Sequence, residues 1–304
     1  PALMENIERV TTHQREKLAA AGDSTRRALE VIKTHDGMPY YRDINGNYWR
    51  MYIFIEGAKT YDVIETPLQA FQAAKAFGEF QGLLVDLPGG RLHETIPDFH
   101  NTPRRLQALE QAIASDVRNR AKDVRAEIDF VMKRRMDTEL LLSLNAKGEI
   151  PERITHNDTK LNNVMLDETS GEAVCVIDLD TVMPGLALYD FGDLVRTSTS
   201  PAKEDEKDLS QVKMQMHMFE ALVKGYIAAA GCFLTKAERG NLAFSGKLIT
   251  LEIGIRFLTD YLAGDVYFKV HREGHNVDRC RTQFKLVESI EQQLDAMNKI
   301  VNKA

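Results

Sequence analysis

The sequence predicts an α+β chain: a small strand-containing N-terminal piece, a short connector, and a large helical body carrying one hairpin. Three observations predict this. An Asn45-Gly46 pair lies between aromatic and β-branched residues near the start, the mark of a tight hairpin. After Thr66, apolar residues recur at helical spacing. Within that helical stretch, Ile154 to Thr181 instead offers two short apolar runs around the turn composition Asp167-Glu168-Thr169-Ser170-Gly171.

The elements follow in order. Ala2 to Ala21 reads as an amphipathic helix, with Leu3, Ile7, Val10 and Leu18 among polar neighbours. The chain opens at Pro1, already within what reads as a helix, so native residues ahead of it are expected, and a targeting segment there is left open. A linker with Asp36-Gly37 leads to predicted strands at Tyr40 to Ile44 and Tyr48 to Ile55. Thr66, Pro67 and Gln69 form a capping box with proline at the first helical position, and the helix carries Leu68, Phe71, Phe77 and Leu84 toward one side. Thr102-Pro103 repeats the signal before a second helix. A third runs through Ile128, Met132 and Leu140 and stops near Gly148. Val164 to Leu166 and Ala173 to Ile177 are the strands of the inserted hairpin. Helices resume at Asp208 to Ala230 before Gly231, at Lys236 to Leu262 before Gly264, and at Cys280 to Val301. There is no internal repeat and no low-complexity segment.

Composition narrows the function. With 304 residues and 43% apolar content, the chain can bury a sizeable core. A formal net charge of −6 argues against nucleic acid as a partner. No like-charge run suggests a membrane patch, and no stretch approaches the roughly 18 apolar residues of a membrane helix. Cys175, Cys232 and Cys280 are odd in number and widely spaced, which favours neither a zinc site nor a disulfide framework. They read as reduced thiols in the core of a cytoplasmic protein. Nothing sets the oligomeric state.

The chemistry-bearing residues surround the inserted hairpin. His156-Asn157-Asp158-Thr159-Lys160-Leu161-Asn162-Asn163 has the form H-x-D-x-x-x-x-N, and Val176-Ile177-Asp178-Leu179-Asp180 ends the next strand. With the turn centred near Ser170, Leu166 pairs with Cys175 and Asn163 falls opposite Asp178. An amide oxygen and a carboxylate then meet at the open end of the ribbon. Such hard ligands suit Mg²⁺, which takes its other ligands from water and nucleotide phosphates. Asp158 stands in the loop beside that position, where a carboxylate can accept the proton of a substrate hydroxyl during phosphoryl transfer. Lys160 can reach the transferring phosphate and offset its charge. His156 reads as a prop for the loop backbone. Protein kinases use the same loop pattern, with Asp as base and Asn as metal ligand. The plainer alternative is a polar turn capped by Asn and Asp. Two motifs agreeing in composition, spacing and strand context weigh against it.

At these residues the sequence resembles the aminoglycoside phosphotransferase and choline kinase superfamily, whose members follow the loop with I-D and then G-x-x-x-x-D. The last element here is Gly185-Leu186-Ala187-Leu188-Tyr189-Asp190, followed by Phe191-Gly192-Asp193-Leu194. Within that superfamily it is most similar to N-acetylhexosamine 1-kinases. The similarity lies in the His156 to Val164 loop, in Trp49 to Gly57, and in Ile255 to Phe268, and it extends over essentially the whole chain. It implies a protein-kinase-like two-lobed fold. Residues 1–57 would form an incomplete N-terminal lobe of helix, hairpin and hinge, and residues 58–304 a large helical C-terminal lobe carrying the catalytic hairpin and a sugar-binding region. It implies ATP and Mg²⁺ as cofactors and a small-molecule sugar as partner. It further implies Asp158 as base, Asn163 and Asp178 on Mg²⁺, and Phe54, Ile55, Glu56 and Gly57 as the hinge meeting adenine. Asp190 would tie the loop to the following helix, and Arg256 and Tyr267 would join Asp158 at the sugar. The implied reaction phosphorylates the anomeric hydroxyl of GlcNAc or GalNAc, in amino sugar salvage. Family members begin with a glycine-containing strand hairpin and a strand bearing a basic phosphate-gripping residue. Neither is in this sequence, so the chain as it stands is expected to bind ATP poorly. Glu5 or Glu8 would partner that basic residue, or be a plain solvated charge.

Chemistry alone leaves other readings open. Arg256 and Asp260, four apart on one helix face, read equally well as an ion pair, and Tyr267 as core. Trp49, in a strand, reads as packing rather than sugar stacking. A kinase for choline, homoserine or an aminoglycoside is the alternative within the fold. Choline needs an aromatic cage and a polycationic antibiotic needs many carboxylates, whereas Arg256 with mixed aromatics suits a neutral polyol. A silent binding module is the alternative outside catalysis, and the intact Asp158, Asn163 and Asp178 argue against it. A sulfatase nucleophile segment is missing, and nothing promotes the paired carboxylates of a glycosidase.

Overall fold

A computed structural model describes residues 1–23 and 25–304. Helix α1 (Ala2–Ala20) buries Met4, Ile7, Val10 and Leu18 along one stripe. Four two-residue strands follow: β1 (Val31–Ile32), β2 (Tyr41–Arg42), β3 (Tyr48–Trp49) and β4 (Met51–Tyr52). The pair β2–β3 is the hairpin that Asn45-Gly46 predicts, with Gly46 at φ 86°. Asp43 builds the turn, its carboxylate accepting the N–H groups of Asn45 and Asn47. The expected second strand breaks at Arg50, beyond which β4 pairs instead with β1, an unexpected strand. Trp49 is not packed: it is 60% exposed, and its indole N–H donates to Asp43 at 2.9 Å.

Strand β5 (Ala58–Lys59) precedes helix α2 (Pro67–Leu83). The capping box forms as predicted, with Thr66 accepting from the Gln69 N–H and the Gln69 side chain accepting from the Thr66 N–H. Phe77 and Leu84 are buried, but Leu68, in the first turn, faces solvent. Helix α3 (Thr102–Ser115) is capped by Asn101, one residue before the expected Thr102. That frees the Thr102 hydroxyl to donate to Glu252 at 2.5 Å.

The expected third helix is broken into α4 (Arg125–Met132), a 3-10 turn (Arg135–Glu139) and α5 (Leu140–Ala146). The cause is Arg134. Its guanidinium takes the Phe130 carbonyl, the acceptor its own N–H would use in a continuing α-helix, and that N–H turns to Val131 instead.

Four strands then carry the site: β6 (Arg153–Thr155), β7 (Val164–Asp167), β8 (Ala173–Val176) and β9 (Met183–Gly185). They form an antiparallel sheet β5-β7-β8 and a separate pair β6–β9. Helices α6 (Ala187–Ser198), α7 (Met216–Ala230), α8 (Lys236–Gly240), α9 (Leu242–Ala263) and α10 (His275–Val301) complete the chain. Asp208 caps a 3-10 turn rather than opening α7, so that helix starts later than expected. The helix expected over Lys236 to Leu262 is divided at Asn241, and Gly264 ends it at φ 104°. Helix α10 begins before Cys280, at His275.

The chain forms two compact units. The first comprises Pro1–Pro97, Glu152–Asp190 and Ala221–Leu234, and the second Asp98–Pro151, Phe191–Glu220 and Thr235–Ala304. The first has Ile7, Val10, Phe77, Leu166 and Tyr226 in its core. In the second, α9 is buried almost all round against α3 and α10. No described helix is long and apolar enough to cross a membrane. Of the three free thiols, Cys175 and Cys280 are buried and Cys232 is exposed, so the core reading fails for Cys232. Burial pushes the Cys175 thiol up to about 12 and raises Cys280 as well. Titration of the native chain with a thiol reagent should therefore modify Cys232 alone, and all three thiols only in denaturant. Rapid modification of two or three native thiols would contradict this packing.

Candidate active site

The pair β6–β9 sets Thr155 opposite Met183 and Arg153 opposite Gly185. At the end of β6 the chain turns sharply, with Asn157 at φ 66°, a conformation Asn tolerates better than most residues. Short bonds hold it there. The Thr155 hydroxyl donates to Asn157 Oδ1 at 3.0 Å, and Asn157 Nδ2 donates to the Thr181 carbonyl at 2.8 Å. Gly185 makes room, because a Cβ there would lie 2.3 Å from Thr155 Oγ1.

Asp190 lies fully buried beneath this turn. Its two oxygens accept the main-chain N–H groups of His156 at 2.9 Å and Asn157 at 2.7 Å. Gln81 Nε2 adds a third donor at 2.6 Å, and the Tyr226 hydroxyl orients Gln81 by donating to its Oε1. Burial pushes the Asp190 carboxyl upward, while His156 and these donors pull against it. The Thr159 hydroxyl donates to the Asp190 carbonyl at 2.6 Å. His156 is buried against the edges of Phe77 and Phe80. Its Nε2 donates to the Ile177 carbonyl at 2.9 Å, leaving Nδ1 to accept the Asp158 N–H at 3.3 Å.

Three predicted residues meet above this foundation. Asn163 Nδ2 donates to the Asp158 carbonyl at 2.8 Å and to Asp158 Oδ2 at 3.2 Å. Lys160 Nζ lies 2.8 Å from Asp158 Oδ1, so in this structure it pairs with that carboxylate. The register of the hairpin is shifted from expectation. Val164 faces Val176, Met165 faces Cys175, and the Ile177 N–H donates to the Asn163 carbonyl at 2.9 Å. Asn163 is thus opposite Ile177, not Asp178. The cause is Asp167, whose carboxylate collects the N–H groups of Thr169 and Ser170 and closes the turn against Glu172. A bulge between Met165 and Leu166 takes up part of the difference. Asp178, exposed and at φ 59°, is the next residue past the ribbon. The Asn163 amide nitrogen is occupied by Asp158, which leaves its oxygen as a ligand. With the Asp178 carboxylate, that donor set is hard oxygen and fits Mg²⁺.

The segment Phe54 to Gly57 joins the same unit. Phe54 is 80% exposed and Ile55 is buried. The Gly57 carbonyl accepts the Glu168 N–H at 3.1 Å, and Ala58 and Lys59 pair with Asp167 and Leu166. Arg26 closes the clamp, donating to the Glu56 carbonyl and, at 3.3 Å, to Asp167 Oδ2. Glu5 and Glu8 bond to His93 and Lys33. The sequence reading missed Arg26, Gln81, Thr181 and Tyr226. No local signal marks them, since each acts on a residue distant in the chain. It also missed Arg50, which pairs with Asp180 at 2.5 Å.

Arg256 and Tyr267 belong to the second unit, where they line a cavity of about 210 Å³ with Arg105, Thr259, Asp260 and Phe268. The anticipated Arg256–Asp260 ion pair does not form. Asp260 instead accepts the N–H groups of Val266, Tyr267 and Phe268 at 2.8–3.0 Å, and Asn276 Nδ2 at 2.8 Å. Tyr267 is not core: it is 67% exposed on the loop that Asp260 gathers.

Residues 11–238 match the phosphotransferase enzyme family APH, and the chain belongs to that family of enzymes, kinases acting on hydroxyl groups of small molecules. Solved structures agree on the fold. An aminoglycoside phosphotransferase from Alicyclobacillus acidocaldarius superposes with a TM-score of 0.64 at 15% identity, over 99% of this chain and 85% of that one. A microcompartment-associated aminopropanol kinase gives 0.54 at 15% identity, over 95% and 83%. An ethanolamine kinase from Plasmodium vivax gives 0.51 at 14% identity, over 90% and 71%. The kinase-like α+β fold with a large helical C-terminal part is therefore that of the protein.

Two outcomes follow from the geometry. Gly185→Ala should cost about 1–3 kcal/mol by forcing Thr155 and Asn157 apart, seen as a lower Tm; an unchanged Tm would refute the close approach. Arg26→Met should speed amide hydrogen exchange at Ala58, Lys59 and Glu168 while leaving Val164 and Val176 protected. Equal exchange at all these positions would show that Arg26 clamps nothing.

Proposed function

We propose that this kinase transfers the γ-phosphoryl group of ATP to the anomeric hydroxyl of an N-acetylhexosamine, GlcNAc or GalNAc. The observation that carries the catalytic part is the grouping of Asp158, Lys160 and Asn163 by direct bonds on a loop fixed from below by Asp190. Asp158 is the base. Asn163 Nδ2 and the loop backbone hold its carboxylate in one orientation, where it takes the hydroxyl proton. Lys160 leaves Asp158 for the phosphate. Both partners are part-exposed, and an ion pair of that kind holds by about 0–1 kcal/mol.

Asn163 and Asp178 would hold Mg²⁺, which would screen the charge on the ATP phosphates, while ATP itself supplies the phosphoryl group. Phe54, Ile55, Glu56 and Gly57 meet the adenine. Residues 1–57 serve as the N-terminal lobe and 58–304 as the C-terminal one. Asp158 is assigned a sugar contact, as are Arg256 and Tyr267, and His156 and Asp190 keep structural roles. The resemblance of Ile255 to Phe268 to hexosamine kinases supports the substrate, as does the shared cavity of Arg256 and Tyr267. A hexosamine 1-phosphate made in the cytoplasm would feed amino sugar salvage.

Phosphorus NMR of the protein with Mg-ATP, GlcNAc, GalNAc, choline and an aminoglycoside tests this. A new phosphate signal coupled to an anomeric proton is expected; an ester on another acceptor would discard the substrate. Asp158→Asn should lower kcat by about 10²–10⁴-fold with nucleotide binding retained, and near-normal turnover would remove Asp158 as base.

A further inference from the structure

We propose that Arg105 is a specificity-determining residue that works with Arg256 as a paired donor for the acyl carbonyl of the acceptor sugar. This rests on the hexosamine reading above and adds to it a residue and a chemical rule. Arg105 stands on α3 and Arg256 on α9, and both line the cavity of about 210 Å³ in the second unit.

The cavity's acid is not available to a ligand. Both oxygens of Asp260 are taken by three main-chain N–H groups and Asn276. The nearby acid Glu252 is fully buried and occupied by His100 at 2.8 Å and Thr102 at 2.5 Å. Among the described residues, neither arginine forms an ion pair with a carboxylate, and Arg256 lies over the rings of Phe99, Tyr267 and Phe268, at 5.2, 5.9 and 5.6 Å. Cation–π contact engages the face of the guanidinium, and its N–H donors point outward in the plane at the edge.

Arg105 donates one N–H to the Phe99 carbonyl at 2.9 Å, while its Nε is buried with no partner. A buried donor without an acceptor is costly unless something arrives to satisfy it. Burial, and after it the charge of Arg256, disfavour the charged form of Arg105, while Glu252 pulls the other way.

Such a cavity presents donors and positive charge. It rejects cationic acceptors, such as a quaternary ammonium, a protonated amino sugar or an aminoglycoside. It favours an acceptor carrying an oxygen with free lone pairs. In an N-acylated hexosamine that oxygen is the amide carbonyl, the strongest uncharged acceptor on the molecule. Tyr267 and Phe268 supply the apolar wall against which the acyl methyl and ring C–H faces lie. Asp260 is the positioning residue of this wall, because it gathers the loop that carries both rings.

The test uses the full chain. Binding of GlcNAc, glucose, glucosamine and choline is measured by calorimetry without nucleotide, and KM and kcat are measured with Mg-ATP. Arg105→Met should weaken GlcNAc binding by roughly tenfold or more, the usual loss when a buried carbonyl loses a charged donor. Glucose, which has no acyl group, should change by less than about twofold. KM should rise far more than kcat falls. Arg105→Lys should recover part of the loss, and it stands in if the methionine variant fails to fold.

Equal losses for GlcNAc and glucose, or no loss for either, would overturn the proposal. So would failure of the wild type to bind GlcNAc, or tighter binding of glucosamine or choline than of GlcNAc. If GlcNAc binds with the expected Arg105 dependence but no sugar 1-phosphate forms, the pocket assignment stands and the reaction reading fails. If the 1-phosphate forms and Arg105→Met is silent, the reaction reading stands and the pocket assignment fails.

Discussion

Both oxygens of Asp190 are bonded to the main-chain N–H groups of His156 and Asn157, with no solvent in reach, and the position of every other residue in the loop follows from that. Removing a carboxylate from water costs several kcal/mol, so the arrangement persists only because donors surround it. Gln81 supplies one, and Tyr226 sets Gln81. The backbone of Asn157 is held in a left-handed turn by the same contacts. That turn is what brings Asp158 out of β6 and back toward Asn163 at the start of β7. A rigid backbone beneath a part-exposed carboxylate is what positioning in catalysis requires.

The second unit repeats this economy of charge. Asp260 gathers the N–H groups of Val266, Tyr267 and Phe268, and Glu252 holds His100 and Thr102. Asp190, Glu252 and Asp260 thus each accept hydrogen bonds from donors within their own unit. The proposed catalytic acids differ in burial, Asp158 being part-exposed and Asp178 exposed. In the second-unit cavity the surplus is basic. The division has a simple origin. A buried carboxylate must be hydrogen-bonded to be tolerated, and each bond it accepts takes acceptor capacity away from a ligand.

Local chemistry was the legible part. The Asn45-Gly46 hairpin, the Thr66 capping box and the end of α9 at Gly264 were readable because the residues that make them are neighbours in sequence. The errors share one cause, side chains that take hydrogen-bond partners which the hydrophobic pattern does not show. Arg134 took a carbonyl from its own helix and broke it. Thr102 went to Glu252, leaving Asn101 to cap α3. Asp167 drew two backbone N–H groups into the turn and shifted the hairpin register, so that Asn163 faces Ile177. Trp49 looked packed from its strand, and core was one of two readings left open for Tyr267, yet both are exposed. Whether an aromatic residue is buried depends on what packs over it, and strand or helix context does not supply that.

By itself the sequence determined the kind of chemistry the chain carries. Short spacings such as H-x-D-x-x-x-x-N bring Asp158, Lys160 and Asn163 within bonding distance over a loop of a few residues, with little freedom for alternatives. Tertiary structure alone decided what holds that loop and what stands beside the proposed acceptor. Asp190, Gln81 and Tyr226 converge from helices far apart in the chain, Arg26 reaches the Glu56 carbonyl from before β1, and Arg105 and Arg256 line one cavity from two helices. No spacing rule encodes such meetings, because they depend on which faces of distant elements come into contact as the core closes.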